Sequence, residues 1–196
     1  MRLVIILNMG NISKYDALKI KAVFLYTLNE LKEADMITIF KIIYFANKKH
    51  LAKWGEPIFK DTFYAFEQGP VPSFLYDAIK FVQSRISEQY QKDNGSILIG
   101  SFKQEWSNGL AHLIAIEKPD LNHLSKSMIE SIEESLKENK GISPEELSSK
   151  SHDQAWQTTD RNLPMNTLNI AYASGASEGT INYLKEIQEV ELLINM

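Results

Sequence analysis

Two prolines one residue apart, in Gly69-Pro70-Val71-Pro72-Ser73, constrain this chain more than any other stretch. Each ring fixes φ, removes a backbone N–H and drives the preceding residue, Gly69 or Val71, out of the helical region. Helix cannot pass through 69–72, so an extended, stiff corner is expected there. Ser73 stands at an N-cap position, its hydroxyl able to accept a first-turn N–H, and Leu75, Ala78, Ile79, Val82 and Ile86 follow at helical spacing. Upstream, Thr62-Phe63-Tyr64-Ala65-Phe66 has the aromatic and β-branched character of a short strand. The expected unit is strand, rigid corner, helix.

Around it the pattern is mostly helical. Ala17, Ile20, Phe24, Leu28 and Leu31 place a first helix over about 16–31, with Asp16 as its cap. Asp35 is placed to cap a second, from Met36 to about Lys53, whose polar side is Lys41, Lys48, Lys49 and Lys53; Gly55 ends it and Pro57 prevents resumption. The short connection 32–34 predicts an antiparallel helical hairpin. Gln89 to Gly95 reads as a loop. Ile97, Leu98, Ile99 and Phe102 are expected to meet Leu110, Leu113, Ile114 and Ile116 across Asn108-Gly109, a strong hairpin signal, and with 62–66 to form one sheet of about three strands. A helix from Asp120 buries Leu121, Leu124, Met128, Ile129, Ile132 and Leu136 and stops at Gly141. Ser143-Pro144-Glu145-Glu146 is a capping box that starts another. His152 and Trp156, four apart, are expected on one helix face, packed together near the corner. A loop with Pro164 and Ser174-Gly175-Ala176-Ser177 precedes a last helix from about Glu178, buried through Ile181, Leu184, Ile187 and Val190. The fold class is therefore α+β, a predominantly helical single domain with a small antiparallel sheet. Residues 1–15 are a leader or extra strand ahead of the domain at 16–196.

Composition narrows the chemistry. No cysteine is present, which removes disulfides, thiolate nucleophiles and cysteine zinc sites and suits a reducing cytoplasm, where the chain is expected to act. The apolar run Leu3 to Leu7 is far short of the ~20 residues a membrane helix needs. His50, His112, His123 and His152 lack metal-ligand spacing, so no metal and no cofactor are expected. No nucleophile elbow occurs; a hydrolase would have to use Ser73 with His50 or His152, whereas helix capping accounts for that serine more simply. Lys41, Lys48, Lys49, Lys53 and Lys60 lie near aromatics, the pattern of a nucleic-acid contact, but a solvated helix face gives the same pattern and the net charge is −4. That charge is uneven: residues 1–119 hold 15 basic and 12 acidic side chains, residues 154–196 only 2 and 5, a balance that suits a basic partner for the C-terminal part but that a solvated helix face gives more often. Tyr44, Lys48, Trp54, Tyr64, Gly69, Pro70, Val71 and Pro72 are the candidate partner-binding residues, because rigid turns and large aromatics anchor interfaces at low ordering cost.

Four ordered blocks point further: Ile43-Tyr44-Phe45-Ala46-Asn47-Lys48-Lys49-His50-Leu51, Trp54-Gly55-Glu56-Pro57-Ile58, Asp61-Thr62-Phe63-Tyr64-Ala65 and Gly69-Pro70-Val71-Pro72-Ser73, followed by Ser151-His152-Asp153-Gln154-Ala155-Trp156. The series resembles the Panacea domain of SocA-like antitoxins, also described as phage-associated GepA-type proteins, over about residues 17 to 190. The resemblance implies a non-enzymatic antitoxin of a toxin–antitoxin system that neutralises a toxin encoded beside it by direct binding. It leaves the toxin unnamed and an AAA+ protease open as a second partner, since in the SocA case the antitoxin delivers its toxin to one. Ser73, His50, His152 and Trp156 would be structural members of the motif. A phage accessory protein that binds nucleic acid, and the hydrolase, are the alternatives.

Overall fold

The computed structural model describes residues 12–83, 95–107 and 109–194. Residues 1–15 therefore fall mainly outside the described part, as do the expected loop at 89–95 save its last residue, Ile86 and Asn108.

The first two helices form as their caps dictate. α1 runs Lys14–Leu31 and starts two residues before the expected point, because Ser13, not Asp16, accepts the capping bond, from the Asp16 amide. α2 runs Met36–Trp54; Asp35 accepts from the Thr38 amide, and Gly55, at φ 69°, closes the helix with a bond to Leu51 O. Between them Glu33–Ala34 is a two-residue strand, β1. α2 is the pillar of the molecule: α1, α4, α5, α7, β3 and β5, all described below, pack on it. Ile39, Phe40, Ile42, Ile43, Tyr44 and Ala46 are all buried, so the helix is enclosed on nearly every side over 39–47.

The proline corner is itself a strand. β2 (Phe63–Phe66) and β3 (Gly69–Pro72) form a tight antiparallel hairpin in which Phe66 faces Gly69 and Phe63 faces Pro72. Pro70 and Pro72 lack the N–H that a central strand would need, and the other side of β2 pairs instead with 162–165, through Ala65 N to Leu163 O and Met165 N to Phe63 O. This hairpin is separate from the second sheet, ordered β1-β5-β4, with β4 at Phe102–Ser107 and β5 at Leu110–Ala115. The three-stranded antiparallel sheet thus recruits β1 in place of 63–66. Ile97 and Leu98 lie in a 3-10 turn, 95–98, rather than in a strand.

α3 (Ser73–Val82) follows β3 at once. Asp120 caps a 3-10 turn at 121–123, and Ser125 caps α4 (Lys126–Asn139), so the helix expected from Asp120 is two elements and Leu121 is exposed. Ser143 caps α5 (Pro144–Ser151), α6 is Gln154–Gln157, α7 is Thr167–Ala173 and α8 is Glu178–Ile194. α7 replaces part of the expected loop. Val190 of α8, expected inside, is exposed. Among the described residues no helix is long and apolar enough to cross a membrane.

Candidate functional site

The first, fourth and last of the sequence blocks meet at one polar joint beside α2. His152 ends α5 and Asp153 begins α6, so the His–Trp pair bridges a helix break instead of riding one helix. The rings still meet: His152 and Trp156 stack at 3.7 Å between centroids, 13° from parallel. Trp156 Nε1 donates to Phe66 O at 2.9 Å, tying α6 to the β2–β3 hairpin. His152 is held by a hydrogen bond to the Glu67 backbone, while its Nε2 is buried with no partner among the described residues. Burial and the Lys41 charge lower its pKa.

Asp153 is the hub. Its carboxylate accepts from the Ala155 and Trp156 amides, which caps α6, and from the Tyr44 hydroxyl at 3.0 Å. Lys48 adds an ion pair to Asp153 from the next turn of α2, with both side chains largely buried. Burial, with the Asp153 charge, raises the Tyr44 pKa, so the hydroxyl acts as a donor. Below it Lys41 is wholly buried, and its Nζ donates to Pro70 O at 2.9 Å. Desolvation lowers the Lys41 pKa to about 7, against the opposing pull of Asp35. Gly69 admits this packing: at φ 93°, a Cβ there would collide with Ser151 Oγ and stand 2.9 Å from Lys41 Cε.

The rest of the motif is also load-carrying structure. His50 is buried with Nδ1 donating to Glu56 O at 2.8 Å, so Nε2 accepts from Ser127 Oγ. Asn47 Oδ1 accepts the Ile58 amide. Ser73 does not cap α3 with its own hydroxyl; it donates to Asp61, and the Asp61 carboxylate accepts the Phe74 and Leu75 amides, capping the helix from twelve residues upstream. Desolvation raises the Asp61 pKa to about 6, although those bonds oppose it. Asp61 and Ser73 line a cleft of about 660 Å³ with Phe74, Met165 and Leu184, and neither bonds a histidine.

Of the candidate partner-binding residues, Tyr44, Gly69, Pro70, Val71 and Pro72 are buried and Lys48 is engaged by Asp153, so the corner faces inward. The reason is that β3 lies between α2 and α5, where its side chains fill space. Tyr64 is half-buried, and Trp54 is 54 % exposed. The lysine row of α2 is largely matched within the fold: Lys49 pairs with Glu138, Lys53 with Glu134, and Lys41 is inside. Among the described residues no group of three or more His, Asp or Glu could hold a metal ion.

The family model for the antitoxin SocA-like, Panacea domain matches residues 39–157, more than half of the chain. The chain belongs to that family. Comparison with curated proteins and with solved structures gives no match. The matched span is shorter than the 17–190 of the resemblance, yet it contains every residue of the joint, from Lys41 to Trp156. α1, α7 and α8 lie outside the matched Panacea stretch. Asp61 and Asp153 have no role of their own in the sequence reading, and Lys41, read there as part of the polar side of α2, is buried instead. The unbroken apolar run around Lys41, Phe40 with Ile42 and Ile43, is the signal for its burial; Asp153 stands at a helix-start position; Asp61 has no local signal.

Proposed function

We propose that this Panacea-domain chain neutralises a cognate toxin, encoded beside it and acting in the cytoplasm, by direct protein–protein binding without catalysis. Membership of the antitoxin family carries the proposal. The interior supports it, because the signature's polar groups are spent on one another: Ser73 on Asp61, His50 on Glu56 and Ser127, Tyr44 and Lys48 on Asp153. A rigid frame of this kind holds its surface in a fixed shape, which lowers the ordering cost of association. Of the candidate partner-binding residues, Trp54 is exposed and Tyr64 half-buried, and we assign these two to contact with the partner.

Co-expression with the product of the adjacent gene tests this. Growth is rescued and the two proteins co-purify if the proposal holds; a neighbour that is toxic alone and neither rescued nor captured refutes it. Toxin half-life in the same cells measures the adaptor route, since delivery to an AAA+ protease shortens it and binding alone does not.

A further inference from the structure

α8 carries two apolar stripes where a surface helix needs one. Ile181 and Leu184 are buried against the domain. On the side away from them Tyr183, Glu186, Val190 and Leu193 succeed one another at intervals of three, four and three residues, which places them on one face. Tyr183 is 52 %, Val190 53 % and Leu193 72 % exposed. Beside this stripe stand Glu186 and Glu189, both exposed and neither in an ion pair among the described residues. The α2 lysines behave differently, since Lys49 and Lys53 find their counter-charges on α4. The stripe reaches the motif region at one end: a Cβ on Gly55 would stand 3.2 Å from Tyr183 Cδ1, and exposed Trp54 is the next residue.

We infer that the outer face of α8, centred on Tyr183, Val190 and Leu193 and continued by Trp54, docks the toxin through a toxin segment with an apolar centre and Lys or Arg flanks. The inference rests on the antitoxin proposal and adds the place and the chemistry of the contact. Charge decides the occupant. The helix holds four glutamates, Glu178, Glu186, Glu189 and Glu191, against Lys185 alone, so a second copy of α8 would bring like charges together, whereas a basic segment compensates them. Exposed aromatic and aliphatic side chains in one row supply the anchors such a segment needs. α8 lies wholly beyond residue 157, so the face is carried by an element outside the shared domain model.

The test uses the full chain and the product of the adjacent gene, with Kd measured at low and high salt and growth rescue scored in parallel. V190S with L193S is expected to weaken binding at least about tenfold. E186K with E189K, which leaves the buried stripe untouched, is expected to slow association at low salt, with the difference shrinking as salt rises. W106A, an exposed aromatic on β4, serves as the control and is expected to bind as the parent does. If the parent chain rescues and binds while both α8 pairs leave Kd and rate unchanged, the α8 inference is overturned and the antitoxin proposal stands. If the parent neither rescues nor binds, both fall. A change in the chain's own mass by light scattering in V190S with L193S, without a change in toxin Kd, assigns the face to self-association and also overturns the inference.

Discussion

The joint beside α2 and the outer face of α8 treat polar side chains in opposite ways. At the joint, Lys41, Tyr44, Lys48 and Asp153 are withdrawn from water and bonded within the chain. On α8, Glu186 and Glu189 stay in water with exposed Val190 and Leu193 among them. Buried polar groups cost free energy unless paired, and once paired they hold one arrangement of the elements that contribute them. Here they fix α5 and α6 to α2 and to the β2–β3 hairpin. An exposed apolar row with uncompensated charge contributes little to the fold and is available to another molecule. The buried signature residues specify the shape of the domain, while the proposed partner contact draws on exposed side chains, Trp54 among them.

Substitutions at the joint should separate the two regions most strongly. G69A forces a side chain into the space of Ser151 and Lys41 at a φ that L-residues avoid, and unfolding in urea should show a loss of roughly 3 kcal/mol or a failure to fold. D153A removes the α6 cap and leaves Lys48 and the Tyr44 hydroxyl unpaired; about 2–3 kcal/mol should be lost, discounted from the fully buried case because the ion pair is not wholly enclosed. A destabilisation below ~1 kcal/mol in D153A, measured in the same way, would break the comparison by making the joint dispensable.

Lys41 gives the joint a pH signature of its own. Its folded pKa, about 7, lies below the unfolded value, so between about pH 7 and 10 the unfolded chain binds more protons at this site. The Lys41 contribution to stability therefore rises with pH across that window, by at most ~1.4 kcal/mol per pH unit, and is constant below it, where both states are protonated. Lys41→Met should remove that slope from a series of urea titrations between pH 7 and 9.5; an unchanged slope would show that the charge is not buried. The smallest effect is expected on α8: E186K with E189K should shift stability by no more than about 0.5 kcal/mol in thermal unfolding, even if binding is lost.

Much of the fold was legible because its signals are local. Asp35 and Gly55 bracket α2, Ser143-Pro144 starts α5, and the strands on either side of Asn108-Gly109 pair in the register of a hairpin. The family blocks were legible too, since their order and spacing survive in the linear chain. The partnerships within the joint were less so. Lys41 reads as part of a polar helix side until α5 and β3 are seen to close over it, and Ser73 reads as a cap until Asp61 is found doing that work. Val190 follows Ile181, Leu184 and Ile187 at intervals of three, but a three-residue step drifts around a 3.6-residue helix, and by Val190 the row has reached the exposed side.

By itself the sequence determined where most elements begin and end, that no helix passes through 69–72, and which family the blocks resemble, because caps and proline rings act over a few bonds. Tertiary structure alone decided which lysine is buried, that the proline corner is a strand facing inward, and that α8 keeps an apolar row in water. Those outcomes depend on contacts such as Tyr44 with Asp153, 109 residues apart, and no local rule reaches across that distance.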